Sequence, residues 1–405
     1  MSLTRRTLLA TAATLPAVAR AQSTPALKIG CLTDMSGPYK DLAGPNAIAA
    51  VHQALEEYGV SGKGMNVEVL SADHLNKPDV GSTVARQWFD RDGVDLIVEV
   101  ANSGVALAVA GVAKEKNKVY INSGAATSDL TGSACNANTI HWVYDTYMLA
   151  KSTGGAMVKA GGDSWFFITA DYAFGKALQR DTTDFITGAG GKVLGSVAYP
   201  FPGTSDFSSY LIQAQASGAK VLGLANAGTD TINSIKQAKE FGVSSKMKLA
   251  GLLLFLTDIH SLGLDIAQGI VLTDSFYWDM NDRTRAFSNR FSPKIGGARP
   301  TMVQAGVYSS VLHYLKTATA MGADKVKLDG AATVARMKQI PTDDDCFGPG
   351  SIREDGRKLH PAYLWEVKKP TESKGPWDYY KPLATTPADQ AFRPLDKGGC
   401  PLVKS

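Results

Sequence analysis

The sequence predicts an α/β fold: two successive units, each a parallel sheet with helices on both faces. Three observations predict it. Apolar, β-branched runs alternate with helix-periodic segments from Leu27 onward, the pattern of a parallel sheet covered on both sides. The same rhythm restarts after about residue 147. A chain of 405 residues is also longer than one hydrophobic core usually supports.

Taken in order, the chain opens with a leader. Met1–Ala21 places Arg5 and Arg6 ahead of an apolar run from Leu8 to Val18, and Ala19-Arg20-Ala21 supplies the small residues a signal peptidase reads. A basic start, a short apolar middle and an A-x-A end make a secretory signal. Thr4-Arg5-Arg6-Thr7-Leu8-Leu9 fits the twin-arginine form of such a signal. The run is too short for a bilayer span, which needs about 20 apolar residues. A periplasmic protein cleaved near Ala21 is expected.

In the first unit, Leu27–Thr33, Asn66–Ala72, Val94–Val100 and Val119–Asn122 read as strands. Ala47–Tyr58, Val80–Asp92 and Val105–Lys116 read as helices between them. In the second, Trp165–Thr169, Lys192–Ala198, Val221–Leu224 and Lys248–Leu254 are the strands. Met148–Ala160, Lys176–Gly188, Phe207–Ser217 and Thr231–Phe241 are the helices. Thr301–Met321 and Gly330–Ile340 form a helical segment expected to return to the first sheet. Pro361–Lys368, with alternating Tyr363, Trp365 and Val367, reads as a late strand. The expected division is 1–21 leader, 22–147 plus 277–345 first lobe, 148–276 plus 346–395 second lobe, and 396–405 tail.

Charge narrows the function. Removing the leader removes three arginines and no acid, so the formal charge falls from +4 to 4 − 3 = +1. A near-neutral chain offers no electrostatic case for nucleic acid or a membrane surface. No later segment is long and apolar enough to be a transmembrane helix. Four cysteines are too few for a disulfide scaffold. Cys31 lies in a strand as a buried thiol, and one pair among Cys135, Cys346 and Cys400 can oxidise. Cys135 with Cys400 is the expected pair, because a tail cysteine staples a terminus that otherwise frays.

Catalytic and metal motifs are absent. There is no phosphate loop, no H-E-x-x-H, no paired cysteine spacing and no G-x-S-x-G elbow. The glycines around Gly190 precede a strand, whereas a dinucleotide fingerprint follows one. Asp343-Asp344-Asp345 reads as a solvated loop, lacking the spaced pattern of a calcium site. No cofactor and no metal are expected.

Three loops carry ligand chemistry instead. Leu32–Tyr39, Ala101–Gly104 and Asn122–Thr127 each follow a strand and precede a helix, which puts them in the crevice beyond the strand carboxyl ends. Ser103, Gly104, Ala125 and Thr127 offer hydroxyls and unobstructed N–H groups, and a helix N-terminus adds positive partial charge. Such a cradle suits a carboxylate. Tyr39, Tyr144, Tyr172 and Phe174 suit a flat ring.

The chain resembles the periplasmic solute-binding proteins of branched-chain amino acid ABC transporters, the leucine/isoleucine/valine-binding family. Lys28–Pro38 (KIGCLTDMSGP) is similar to that family's first strand and S-G-P turn, Gly124–Leu130 (GAATSDL) to its A-A-T ligand loop, and Ala170–Gly175 (ADYAFG) to its aromatic loop. The resemblance implies two Rossmann-like lobes of the type I periplasmic binding protein, three interlobe crossovers, hinge closure on a ligand, and delivery to a membrane permease. By position, Ser103 or Gly104, with Ala125 and Thr127, grips the ligand carboxylate. Tyr172 or Phe174 covers it, and Tyr39 walls the pocket. The family's acid for a ligand ammonium is missing from Gly251–Leu256. Asp145 or Asp171 replaces it, or the ligand has no amine. The ligand is thus a small carboxylate, an aromatic acid or a branched-chain or other amino acid. A monomer without enzymatic activity is expected; a soluble sensory module or an exported α/β enzyme are the alternatives.

Overall fold

The computed structural model describes residues 26–404; the leader lies outside the described residues. The first sheet contains β1 (Leu27–Thr33), β2 (Val67–Asp73), β3 (Leu96–Glu99), β4 (Val119–Asn122) and β5 (Thr139–His141), in the order β2-β1-β3-β4-β5. All its pairings are parallel. β6 (Ser164–Ala170), β7 (Lys192–Tyr199), β8 (Val221–Ala225), β9 (Lys248–Gly251) and β10 (Val271–Asp274) form the parallel part of the second sheet. A hairpin, β11 (Ser351–Ile352) and β12 (Lys358–Leu359), precedes β13 (Ala362–Val367) and β14 (Tyr380–Thr386). Those last two strands complete the second sheet in the antiparallel sense, in the order β14-β13-β10-β9-β8-β6-β7. The fold is therefore two Rossmann-like α/β lobes.

Burial follows position. β3 and β4 are buried along their whole length, whereas edge strand β7 alternates exposed and half-buried residues. That is why central strands read as continuous apolar runs and edges as alternation. β14 carries Pro382 and mostly exposed residues, which an edge strand tolerates because its outer N–H groups need no partner. β9 is shorter than the apolar run Lys248–Leu254. The chain leaves the sheet after Gly251, where a Cβ would stand 2.2 Å from Leu254, and Leu252–Phe255 turns into the space between the lobes.

The chain passes between the sheets after β5, after β10 and again between β12 and β13. The helix Met302–Met321 packs beside the first sheet. Thr301 caps it, and its hydroxyl donates to the Leu42 carbonyl at 2.8 Å. Trp142, after β5, donates its indole N–H to Ser309 on that helix at 2.8 Å. The β11–β12 hairpin also stays beside the first lobe, through His141 bridging Arg357. The third crossing thus comes after the expected boundary at 345/346. Cys135 and Cys400 are disulfide-bonded, with Cα atoms 5.5 Å apart, and Cys31 and Cys346 are buried free thiols. The tail that leaves β14 in the second lobe is thereby fastened to the first.

Candidate functional site

The loop after β1 is shaped by one carboxylate. Asp34, fully buried, accepts the N–H groups of Gly37 at 2.7 Å and Tyr39 at 2.8 Å, and the Asn76 side-chain amide at 2.7 Å. A Cβ on Gly37 would stand 2.8 Å from both Asp34 oxygens, so the S-G-P turn needs glycine there. The turn drives Tyr39 toward the other lobe. There its hydroxyl meets that of Tyr172 at 2.5 Å. Phe201 stacks on both rings, 5.5 Å from Tyr39 and 4.3 Å from Tyr172. The Thr229 N–H, after β8, donates to the Pro38 carbonyl at 3.2 Å. The lobes are closed on one another along this seam.

Behind the seam lies an interlobe chamber. The first lobe contributes Tyr39 and Leu42 after β1, Ala101 after β3, Gly124 and Ala126 after β4, and Tyr144 after β5. The second contributes Tyr172 and Phe174 after β6, Ala227 after β8, and Leu253 and Phe255 after β9. Every one follows the carboxyl end of a strand, where ligands of open α/β sheets bind. Unfilled space amounts to about 220 Å³, of which about 10 Å³ is open to the centre of a water molecule. That is room for about one water, so a ring can enter only when the lobes part.

Among the described residues, no charged side chain lines the chamber. Its polar groups are the hydroxyls of Tyr39, Tyr144 and Tyr172 and the backbone. Burial pushes all three hydroxyls up in pKa, so they stay neutral. Tyr144 donates to the Gly124 carbonyl. The Gly124 and Ala126 amides enter no hydrogen bond among the described residues.

Tyr39, Tyr172 and Phe174 thus stand together on the chamber wall. Ser103, Gly104, Ala125 and Thr127 do not line it; their neighbours Ala101, Gly124 and Ala126 do. The hydroxyls expected to grip a carboxylate accept bonds within the loops instead. Ser103 Oγ accepts the Thr127 N–H at 3.2 Å, and Thr127 Oγ1 accepts the Asp129 N–H at 3.3 Å. Ala125 is clasped by Asn122, its N–H donating to Oδ1 at 3.0 Å. Gly104 sits in the first turn of the helix Ser103–Glu115, beside the capping Asn102. Asp145 is also elsewhere: it caps the helix Thr146–Leu149 and faces Arg357 at 3.5 Å. Asp171 is exposed and pairs with Lys176 at 2.9 Å. Neither is placed to meet an ammonium in the chamber. Asp343 and Asp345 pair with Arg283, at 2.8 and 3.0 Å, and Asp344 caps the amides of Cys346 and Phe347. No cluster suited to a metal occurs among the described residues.

Leu42 and Ala227 lie outside the loops read from the sequence, and Ala101, Leu253 and Phe255 were not singled out within theirs, since apolar residues look alike in a core and in a pocket wall. Their place directly after a strand was the available clue.

Residues 26–376 match the model of a family described as periplasmic binding protein. A crystal structure of a periplasmic binding protein from Burkholderia mallei is 50% identical, with a TM-score of 0.90 over 94% of this chain and 99% of that one. A branched chain amino acid ABC transporter periplasmic ligand-binding protein from Burkholderia xenovorans LB400 is 42% identical, with a TM-score of 0.80 over 93% of this chain and 99% of that one. A solute binding protein of an ABC transporter from R. palustris, in complex with 4-hydroxybenzoate, shares the fold at 22% identity and a TM-score of 0.80, over 91% of this chain and 99% of that one. The two closed α/β lobes and the chamber between them have the same explanation as these likenesses: the chain belongs to the periplasmic binding protein family of ABC-transporter solute-binding proteins.

Proposed function

We propose that this protein captures a small aromatic carboxylate in the interlobe chamber and delivers it unaltered to a membrane permease. The observation that carries this reading is the lining: five aromatic residues (Tyr39, Tyr144, Tyr172, Phe174 and Phe255) and no charged side chain. A ring gains from stacking there. A carboxylate can take N–H bonds from Gly124 and Ala126, each charge-assisted bond contributing roughly 1.5–3 kcal/mol. Ser103 and Thr127 hold those two loops in register rather than touching the ligand. An ammonium would be desolvated with no acid on the wall. The 4-hydroxybenzoate held by the R. palustris protein supports the aromatic class.

A branched-chain amino acid is the second reading, favoured by the description of the B. xenovorans relative. Calorimetric titration of the mature chain with benzoate, 4-hydroxybenzoate, leucine and valine decides between them. Binding of the benzoates with no detectable leucine binding is expected; leucine binding alone overturns the aromatic reading. Ligand recovered chemically unchanged supports a carrier, and a product in its place overturns that. The leader is expected to direct export with cleavage near Ala21, which N-terminal sequencing of the secreted chain reads. Gel filtration is expected to show a monomer.

A further inference from the structure

The chamber lining holds no charge, but a buried carboxyl stands directly behind it. Glu99 ends β3 with no exposed surface, and neither carboxyl oxygen makes a well-formed hydrogen bond. Its Oε1 lies 2.1 Å from where a Cβ on Gly124 would stand, and the Ala101 backbone lies 2.8 Å from the same point. Gly124 and Ala101 both line the chamber. The carboxyl therefore occupies the seam where the two ligand loops meet, in space that only a glycine at 124 leaves free. The backbone there is strained: Glu99 and Val100 have φ of +81° and +66°, a conformation costing roughly 1–3 kcal/mol per residue that is typical of binding and catalytic sites.

We propose that Glu99 sets the charge of the ligand: it must carry its proton for an anionic head to bind beside the Gly124–Ala101 seam. This rests on the aromatic-carboxylate reading and adds the residue that enforces it. An ionised Glu99 repels a carboxylate only a few ångströms away and attracts an ammonium. The ionisable groups that face it are Cys31 from β1, Asp34 from the loop after β1, Tyr120 from β4 and Tyr144 from the loop after β5. No cation is among them. Burial pushes the Glu99 carboxyl up to about 8, and the charge of Asp34 adds to this. The Thr33 hydroxyl and the Val100 and Ala101 amides oppose it in part. At neutral pH the group is a neutral acid.

The experiment is calorimetry of the mature chain with benzoate, which does not titrate in this range, from pH 6 to pH 9. Binding is expected to weaken about tenfold between pH 7 and pH 9 and to take up about half a proton at pH 8, read by comparing phosphate with Tris buffer. The E99Q variant is expected to bind benzoate with no such fall. Proton uptake in the unaltered chain decides the matter even if that variant fails to fold. Benzoate affinity that is flat with pH, or an E99Q variant that keeps the fall, overturns the role of Glu99 and leaves the ligand reading standing. Failure of benzoate to bind at any pH overturns both. Leucine binding with proton release at pH 7 reverses the predicted sign and likewise overturns the proposal.

Discussion

Gly228→Ala tests lobe closure at the Pro38 seam, where its Cβ would also stand 3.1 Å from the Tyr39 ring. Gly228 follows β8 at φ +62°, and a Cβ there would stand 2.3 Å from the Pro38 carbonyl of the other lobe. Ordinary contact begins at 3.4 Å, so the seam must open by 3.4 − 2.3 = 1.1 Å. That shift carries the Tyr39–Tyr172 hydroxyl pair from 2.5 Å and the Thr229–Pro38 bond from 3.2 Å beyond hydrogen-bond reach. Two bonds at about 1 kcal/mol each make about 2 kcal/mol, a roughly thirtyfold loss of ligand affinity. The backbone penalty of alanine at positive φ is about 1 kcal/mol and acts on stability. Gly218→Ala is the control: it also has positive φ, +69°, and nothing within 4 Å, so it carries a backbone penalty with no interlobe clash. Both variants are expected to melt slightly below the unaltered chain. Only Gly228→Ala should lose affinity in calorimetry and remain expanded with ligand in small-angle scattering. Equal affinities for the two variants refute the closure geometry.

Three further outcomes follow from the same structure. Asp34→Ala removes three bonds of 2.7–2.8 Å that shape the Tyr39 turn; stability is expected to fall by about 3 kcal/mol or more, with affinity falling alongside, and unchanged affinity refutes the role of the turn. Reduction of Cys135–Cys400, which are 265 positions apart, is expected to lower stability by up to about 5–6 kcal/mol in the chain-entropy model, read as a lower Tm; a Cys400→Ser variant should melt low already and ignore reductant. Stability should also fall as pH rises from about 6.5 to 8. Burial raises Asp258 to about 7, and Glu99 and Asp274 to about 8, so the folded state holds protons that the unfolded state has lost and stability drops through that window. His74 and His313, lowered to about 4, act in the opposite sense but only below about 6.5, the unfolded histidine pKa. Asp274→Asn should flatten the Tm profile above pH 6.5, and a profile as steep as before refutes the assignment.

Much of the fold was legible because periodicity reports burial. Leu27–Thr33 and Val119–Asn122 coincide with β1 and β4, since strands buried on both faces read as unbroken apolar runs. β5, β10 and β14 were not legible: β5 has three residues, β10 carries Thr273 and Asp274 among its four, and β14 is exposed with a proline, so none reads as an unbroken apolar run. The ligand loops were found by their place after strands, but the residue within each loop that faces the chamber was not. That choice depends on which side chains close the turn internally. Ser103, Thr127 and Asn122 do so here, leaving Ala101, Gly124 and Ala126 to face inward. Glu99 was not singled out within the Val94–Val100 strand, and nothing in the sequence signals the positive φ at 99 and 100 that accompanies its burial.

A wall without charge is itself a means of selection under the proposed reading. Any ion entering the chamber loses its water, at a cost of several kcal/mol unless partners replace it. The replacements on offer are donors: two backbone amides and the one hydroxyl proton that the Tyr39–Tyr172 pair leaves over. They serve an oxygen anion and leave an ammonium without an anionic acceptor. The closing contacts then add what the polar head cannot, because Tyr39, Tyr172 and Phe201 stack across the lobe boundary. Head-group choice thus resides in the first lobe's loops after β3 and β4, while shape is read by rings that come together only on closure. A ligand too bulky for that stack should bind the first lobe weakly and leave the lobes apart, which scattering with a substituted naphthoate would register as an undiminished radius of gyration.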